Sequence, residues 1–428
     1  MPDIKPFCGI LYNPSKVDFS NVVAPPYDVI SPLQQNDLYA ASPQNIVRLI
    51  LGREQDRYAE AARNYLQWKN DGVLTRDTTP SFYLLAQNFS TPDGSKIERI
   101  GFIARCRLED FSKGTVLPHE KTHSKPKEDR FQLMQAVKAN FSQIFCLYND
   151  LHNTARQSYE SVRTQPPVID VTYEGVRNRL WRMNEPENIE SLTKATEGKK
   201  IFVADGHHRY ETALAYRDLM MRQNPRHTGN ESYNYVMMYL ANIDDSGLII
   251  LPTHRVLYGM EGFNAEGFLH DLDKFFHVEK FANAQELLSN LHRHQRYAFG
   301  IVAALGPKYV LCSLRESLRI ADLVEPTIPT VLHQLDVILL HNVIIEKILC
   351  ISQESQLQKR NLDYVKDAEE AVSSVKSGKA QVVFLLNATP IEQVRAVAEA
   401  GQTMPQKSTY FYPKLLSGLV INSLDDEQ

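Results

Sequence analysis

Cysteine is sparse in this 428-residue chain: Cys8, Cys106, Cys146, Cys312 and Cys350. They are scattered, odd in number and never form Cys-x-x-Cys. That excludes a disulfide framework and a structural zinc site as the organising device. No apolar run approaches the ~20 residues that span a bilayer. The first ten residues hold Asp3, Lys5 and Pro6 and lack the apolar core of a signal peptide, so the expected address is the cytoplasm. The formal net charge is -4, so no basic field gathers nucleic acid. Gly-x-x-x-x-Gly-Lys-Ser/Thr is absent, and no Gly-x-Gly-x-x-Gly follows a strand, so neither common nucleotide-binding loop is present. His-Glu-x-x-His is absent too. There is no internal repeat and no low-complexity linker.

What is present is an ordinary globular composition with one dense stretch, Ile201-Phe-Val-Ala-Asp-Gly-His-His-Arg-Tyr-Glu-Thr-Ala-Leu214. Four small or apolar residues read as a buried strand. Asp205 and Gly206 break it, and from Arg209 onward Tyr210, Ala213 and Leu214 recur at helical spacing. The turn between them is filled with Asp205, His207, His208 and Arg209, where connecting loops usually carry Ser, Asn, Pro and Lys. Imidazoles and a guanidinium at a helix N-terminus suit an anion, because unpaired N–H groups and the helix dipole both favour negative charge there. The plainer alternative is that Asp205 caps the helix and the histidines are satisfied locally. Leaving a strand, His207 and His208 would point to opposite sides, one at a ligand and one bracing the turn.

Two further clusters accompany it. Leu117 to Arg130 crowds His119, Glu120, Thr122, Lys127, Asp129 and Arg130 into a dozen positions, with Pro118 and Pro126 expected to keep most of it out of helix. A solvated loop is the ordinary reading of a charge run, but the histidines and the mix of acid, base and hydroxyl weigh against it. Pro252-Thr-His-Arg-Val256 places His254 and Arg255 at a strand end, where open α/β sheets bind ligands. Ala24-Pro-Pro-Tyr-Asp28 is a proline-fixed loop that presents Tyr27 and Asp28. Lys407 sits in the aromatic segment Met404 to Lys414, which is expected to dock on the body rather than hang free.

Between these clusters the patterning is mixed. Ser81–Phe89 and Ile97–Leu108 read as a hairpin through Thr91-Pro-Asp-Gly-Ser95, with Ile100, Phe102 and Ala104 on one face. Strands are expected at Tyr233–Leu240, Phe299–Ala303, Lys308–Ser313 and Gln381–Leu386. A long apolar helix is expected over Val331–Leu349. Asp150–Gly198 shows little pattern and reads as connection. The fold class is α/β with a mixed central sheet in a two-lobed chain. Residues 1–260 form a core region carrying the three polar loops, and 261–428 a second α/β region docking on it. The three loops are expected to meet at one edge.

Arg and His together hold phosphate oxygens, Arg bidentately and His as a cation or proton carrier. Phosphate or nucleotide binding is therefore assigned to Gly206, His207, His208, Arg209, Lys127, Arg130, His254 and Arg255. Glu120, His119 and Asp205 are the candidate acid–base groups. Asp129 and Glu211 are the candidate oxygen ligands for magnesium. A zinc site would need three assembled imidazole or carboxylate ligands, so zinc is not expected.

Ala204-Asp-Gly-His-His-Arg-Tyr-Glu211 resembles the hallmark of a family known only as a domain of unknown function, DUF1015. Ala24-Pro-Pro-Tyr-Asp28, Pro118-His-Glu-Lys-Thr122, Asp129-Arg130, Leu251-Pro-Thr-His-Arg255 and Met404 to Lys414 follow its pattern in order, so the resemblance covers nearly the whole chain. More weakly, Asp205-Gly-His-His-Arg209 is similar to the phosphate-gripping motif of the ParB/sulfiredoxin superfamily, which includes kinases of free serine. That resemblance implies a ParB/sulfiredoxin-like core, phosphate contacts from Gly206, His208 and Arg209, and ATP or ADP as nucleotide. The superfamily's separate catalytic Glu has no motif match here, and Glu120 is assigned from the chemistry of its cluster. The expected function is phosphoryl transfer to a small, serine-like hydroxyl compound with magnesium. The alternatives are a regulatory protein that binds nucleotide or phosphate without turnover, and a metal-dependent hydrolase. The expected partners are small molecules, with no nucleic acid and no membrane.

Overall fold

The turn chemistry at Thr91 acts as the sequence requires. The computed structural model describes residues 3–91, 94–120, 124–294, 296–304, 308–358 and 360–425, and Thr122 lies outside them. Thr91 N–H donates to the Ser95 carbonyl (3.0 Å), Gly94 N–H returns to Thr91 (2.8 Å), and Gly94 takes φ +85°. The turn joins Phe82–Ser90 to Lys96–Arg107 in antiparallel register, with Leu84 opposite Phe102 and Ala86 opposite Ile100. Ile100, Phe102 and Ala104 enter one core with Phe82, Leu84 and Ala86, as alternation demands.

This hairpin lies within a nine-stranded sheet. Its order is Val116–Leu117, Ile201–Asp205, Ile144–Tyr148, Tyr235–Asn242, Lys96–Arg107, Phe82–Ser90, Val176–Met183 and Ile169–Tyr173, with Ile4–Lys5 added beside Lys96–Arg107. Ile201–Asp205 runs parallel to Val116–Leu117, and Tyr235–Asn242 parallel to Ile144–Tyr148; the other pairs are antiparallel. The sheet is therefore mixed, as expected. The edge hairpin at Ile169–Met183 falls in the stretch read as mere connection. Val176 to Met183 does alternate buried and exposed at its start, but its arginines masked the pattern.

Two units divide the chain. The first holds residues 1–118, 122–249 and 413–428, and the second holds 119–121 and 250–412. In the first, the last segment is tied in by non-local bonds: Arg99 donates to the Pro413 carbonyl, Gly418 N–H to Phe141 (3.1 Å) and Ile421 N–H to Ile10 (2.9 Å). Arg99 is fully buried, with its guanidinium 4.5 Å from the Phe145 ring centroid.

The second unit is built on a six-stranded antiparallel sheet. Its order is Phe276–Phe281, Tyr309–Leu314, Ala298–Ala303, Val382–Leu385, His254–Leu257 and Leu362–Val365. The single helix expected over 331–349 is instead three pieces: a 3-10 turn Thr330–Gln334, an α-turn Asp336–Leu339 and a π-helical stretch Leu340–Ile348. Leu335 is extended (φ -90°, ψ 126°), which breaks the first join. π-Helical geometry is uncommon and recurs at functional sites.

Candidate functional sites in the two units

In the first unit the central stretch forms a strand, Ile201–Asp205, and a helix, His207–Gln223, with only Gly206 between them. The helix thus begins two residues before the apolar periodicity does. His207 and His208 share its first turn rather than opposing each other across a strand. Gly206 is the cap, at φ +95°, a left-handed conformation that reverses the chain within one residue. His207 is buried and His208 half-buried.

Arg209 folds back over this cap. Its Nη1 donates to the Gln143 carbonyl (2.7 Å) and its Nη2 to Asp205 Oδ2 (2.9 Å). Lys414 Nζ takes Asp205 Oδ1. Asp205 is thereby held between two cations, which suits an orienting group better than a free base. A Cβ on Gly206 would lie 2.8–2.9 Å from the Arg209 guanidinium. Gly206→Ala is therefore expected to destabilise the first unit by about 1–2 kcal/mol, from left-handed strain and displacement of that guanidinium. Urea unfolding followed by tryptophan fluorescence checks this, since Trp68 and Trp181 both lie in the first unit. An unchanged midpoint would show that the cap tolerates a side chain.

The Leu117–Arg130 cluster is not mainly loop. A helix runs Ser124–Val137. Pro126 falls in its first turn, where the missing N–H would have had no helical acceptor anyway. Arg130 is spent internally: Nη1 donates to the Ile50 carbonyl (2.7 Å), Nε to Asp129 Oδ2 (2.8 Å), and the guanidinium lies 3.9 Å over Tyr27. Asp129 also takes Arg57 Nη2 (2.7 Å) and Tyr58 Oη (2.9 Å). Although burial opposes ionisation, these cations hold the Asp129 carboxyl below its usual range. Lys127 pairs with Glu211 Oε2 at 2.6 Å. A carboxylate saturated by cations is a poor magnesium ligand, which counts against Asp129; Glu211 has one oxygen engaged by Lys127. Among the described residues, no three His, Cys, Asp or Glu side chains gather as a metal site would require. Tyr27 follows Pro25 and Pro26 in a 3-10 turn. Burial, then Asp28, push its hydroxyl up to about 12, against the fields of Arg130 and Arg209; Asp28 itself is exposed.

In the second unit, His119 and Glu120 meet the segment around Lys407. Met404 N–H donates to the His119 carbonyl (2.7 Å). Lys407 takes φ +56°. After this left-handed residue the successive N–H groups of Ser408 and Thr409 both reach Glu120 Oε1, at 3.1 and 3.3 Å, in the manner of an anion-binding nest. Thr409 Oγ1 also donates to Oε1 (3.3 Å), and buried His119 Nε2 lies 3.0 Å from that hydroxyl. The geometry is a chain, His119 to Thr409 to Glu120. Glu120 Oε2 has no hydrogen-bond partner among the described residues.

His254 and Arg255 open a central strand, but their roles differ. Burial, then Arg255, hold the His254 imidazole down at about 4, and its Nδ1 accepts the Leu386 N–H (3.2 Å). A neutral acceptor braced on backbone is structural, not a cationic phosphate ligand. Arg255 is fully buried. Its Nε donates to His341 Nε2 (3.2 Å) and its Nη1 to the Thr253 carbonyl. Tyr364 and Glu120 lie within its electrostatic reach. Sequence reading missed Ser408, Thr409 and His341. A histidine in an apolar stretch was visible, but its partner was not.

A family model described as "Protein of unknown function (DUF1015)" matches residues 4–338. Comparison with the curated proteins gives no match. Among solved structures, the chain is similar to a conserved hypothetical protein from Pyrococcus furiosus, with 13% identity and a TM-score of 0.37, over 76% of this chain and 96% of that one. It is similar to a free serine kinase in complex with AMP, with 13% identity and a TM-score of 0.35, over 73% and 86% of the two chains. It is also similar to SbnI with a C-terminal truncation from Staphylococcus aureus, with 10% identity and a TM-score of 0.36, over 76% and 90%.

Proposed function

Because the chain belongs to the DUF1015 family, whose description names no reaction, we propose from its own residues that it is a phosphoryl-transfer enzyme. Its substrate would be a small hydroxyl compound such as serine, and its donor ATP or ADP carrying magnesium. The observation that carries the reading is Glu120. One oxygen is clamped by two N–H groups and a hydroxyl, while the other has no hydrogen-bond partner among the described residues. A general base needs that division: a fixed orientation and one oxygen able to accept a proton.

Proton acceptance from the acceptor hydroxyl is assigned to Glu120 in the second unit, with His119 and Thr409 holding it in place. In the first unit, the start of the helix at His207 is taken by itself as an anion-binding position. There His208 is half-buried, and Arg209 and Lys414 outnumber Asp205. Phosphoryl transfer asks chiefly for positioning and charge stabilisation. Magnesium would be held largely by phosphate oxygens and water, because Asp129 and Glu211 are already paired with cations.

The test is incubation of the full chain with magnesium, serine and ATP, ADP or pyrophosphate in turn, with phosphoserine followed by mass spectrometry. Phosphoserine that accumulates with time and enzyme is the expected result. Nucleotide binding by calorimetry, with no phosphorylated product from serine or other small hydroxyl compounds, would overturn the reading in favour of a binding protein.

A further inference from the structure

The second unit has a pocket beside Arg255 whose chemistry does not call for phosphate. It opens where the strand His254–Leu257 begins and the strand Val382–Leu385 ends, two neighbours in register. The space there, about 350 Å³ when the solvent at its mouth is counted, is lined by Thr253, Arg255, Asp336, Asn387, Thr389 and Ser408, among others.

Two buried donors on this lining have no hydrogen-bond acceptor among the described residues: Arg255 Nη2 and Thr253 Oγ1. The other side-chain donors on the same wall are spent. Thr389 Oγ1 donates to the Ser408 carbonyl (3.0 Å), Ser408 Oγ to Pro405 (2.6 Å), and Asn387 Nδ2 to Leu291 (3.0 Å) and His294 (2.9 Å). A buried guanidinium with an unsatisfied N–H is costly unless an anion completes it. Its orientation is fixed from behind. His341 accepts from Arg255 Nε, so its own proton lies on Nδ1, which donates to Gln356 Oε1 (2.6 Å). Two donors match the two oxygens of a carboxylate, whereas the further oxygens of a phosphate would find no third donor on this wall.

Asp336 supplies the opposite charge on the same lining. Its Oδ1 accepts the Tyr297 N–H (2.6 Å), and among the described residues its carboxylate has no other hydrogen-bond partner. Burial disfavours its charge and raises its pKa to about 6, so a cation in the pocket would stabilise the ionised form.

We propose that this pocket binds a small amino acid as its zwitterion, with the carboxylate on Arg255 and Thr253 and the ammonium on Asp336. The inference goes beyond the phosphoryl-transfer reading, because the pocket recognises the two charged groups and needs no hydroxyl. Glycine and alanine are therefore ligands, although neither can be phosphorylated on a side chain.

The test is calorimetry on the full chain with glycine, alanine, acetate and inorganic phosphate. Saturable binding of glycine and alanine is expected, with acetate at least ten-fold weaker and phosphate unable to displace glycine. Asp336→Asn, which keeps the side chain's shape, should weaken glycine at least ten-fold and not weaken acetate. Thr253→Val should weaken both. Because Arg255 is fully buried, Arg255→Met is read only with its circular dichroism beside it; folded protein should have lost both ligands. Absence of saturable glycine binding to the parent chain, competition by phosphate, or an Asp336→Asn variant that binds glycine as the parent does would each overturn the proposal. These outcomes stand whether or not phosphoserine forms.

Discussion

Glu120→Gln is expected to lower the turnover of the proposed phosphoryl transfer by about 10²–10⁴-fold while leaving nucleotide affinity unchanged, the effect of removing a positioned base. The substitution isolates the chemistry because an amide keeps the shape. The glutamine oxygen can still accept from the N–H groups of Ser408 and Thr409, so the local backbone has no reason to move. What is lost is the second oxygen as a proton acceptor, replaced by an NH2 that can only donate. Rates of phosphoserine formation and calorimetry with ADP, measured on the same preparations, check the two halves. Full activity in the variant would remove Glu120 from the reaction.

The second large effect is loss of stability of the second unit in mild acid. His254 and His341 are both buried as neutral rings, His254 held at about 4 and His341 at about 3, in each case by burial first and Arg255 second. Their unfolded values lie near 6.5. Below that pH the unfolded chain takes up protons that the folded chain refuses, so stability is intact at pH 7 and falls as pH drops through 6.5 toward those values. Asp336 works the other way. Its folded value is raised to about 6, so its protonation on acidification relieves a burial penalty. With two histidines against one carboxyl, the net loss between pH 7 and pH 5 is about 2–3 kcal/mol. Tryptophan fluorescence would miss it, because both tryptophans lie in the first unit. Hydrogen exchange in Ala298–Ala303 and Val382–Leu385 at the two pH values is the measurement. His341→Asn should flatten the dependence, and equal protection at pH 7 and pH 5 would show that these histidines are not held neutral.

Sequence alone determined the elements whose cause is local. The hairpin at Thr91 follows from turn residues, and the strand of the central stretch from an apolar run broken at Asp205 and Gly206. The candidate site residues were also visible as types, because His, Glu and Arg crowd into short segments. Tertiary structure decided what each does. Glu120 is clamped by Ser408 and Thr409, 288 and 289 positions away. Arg255 rests on His341 and shares a pocket with Asp336 and Asn387. Arg130 and Asp129, equally dense in charge, turn out to satisfy each other and their surroundings. The difference is physical. Turn and strand preferences are set by the backbone freedom of a few neighbouring residues. Whether a buried charge is paired, anchored or open depends on which distant segment the sheet register brings beside it, and spacing along the chain carries no record of that.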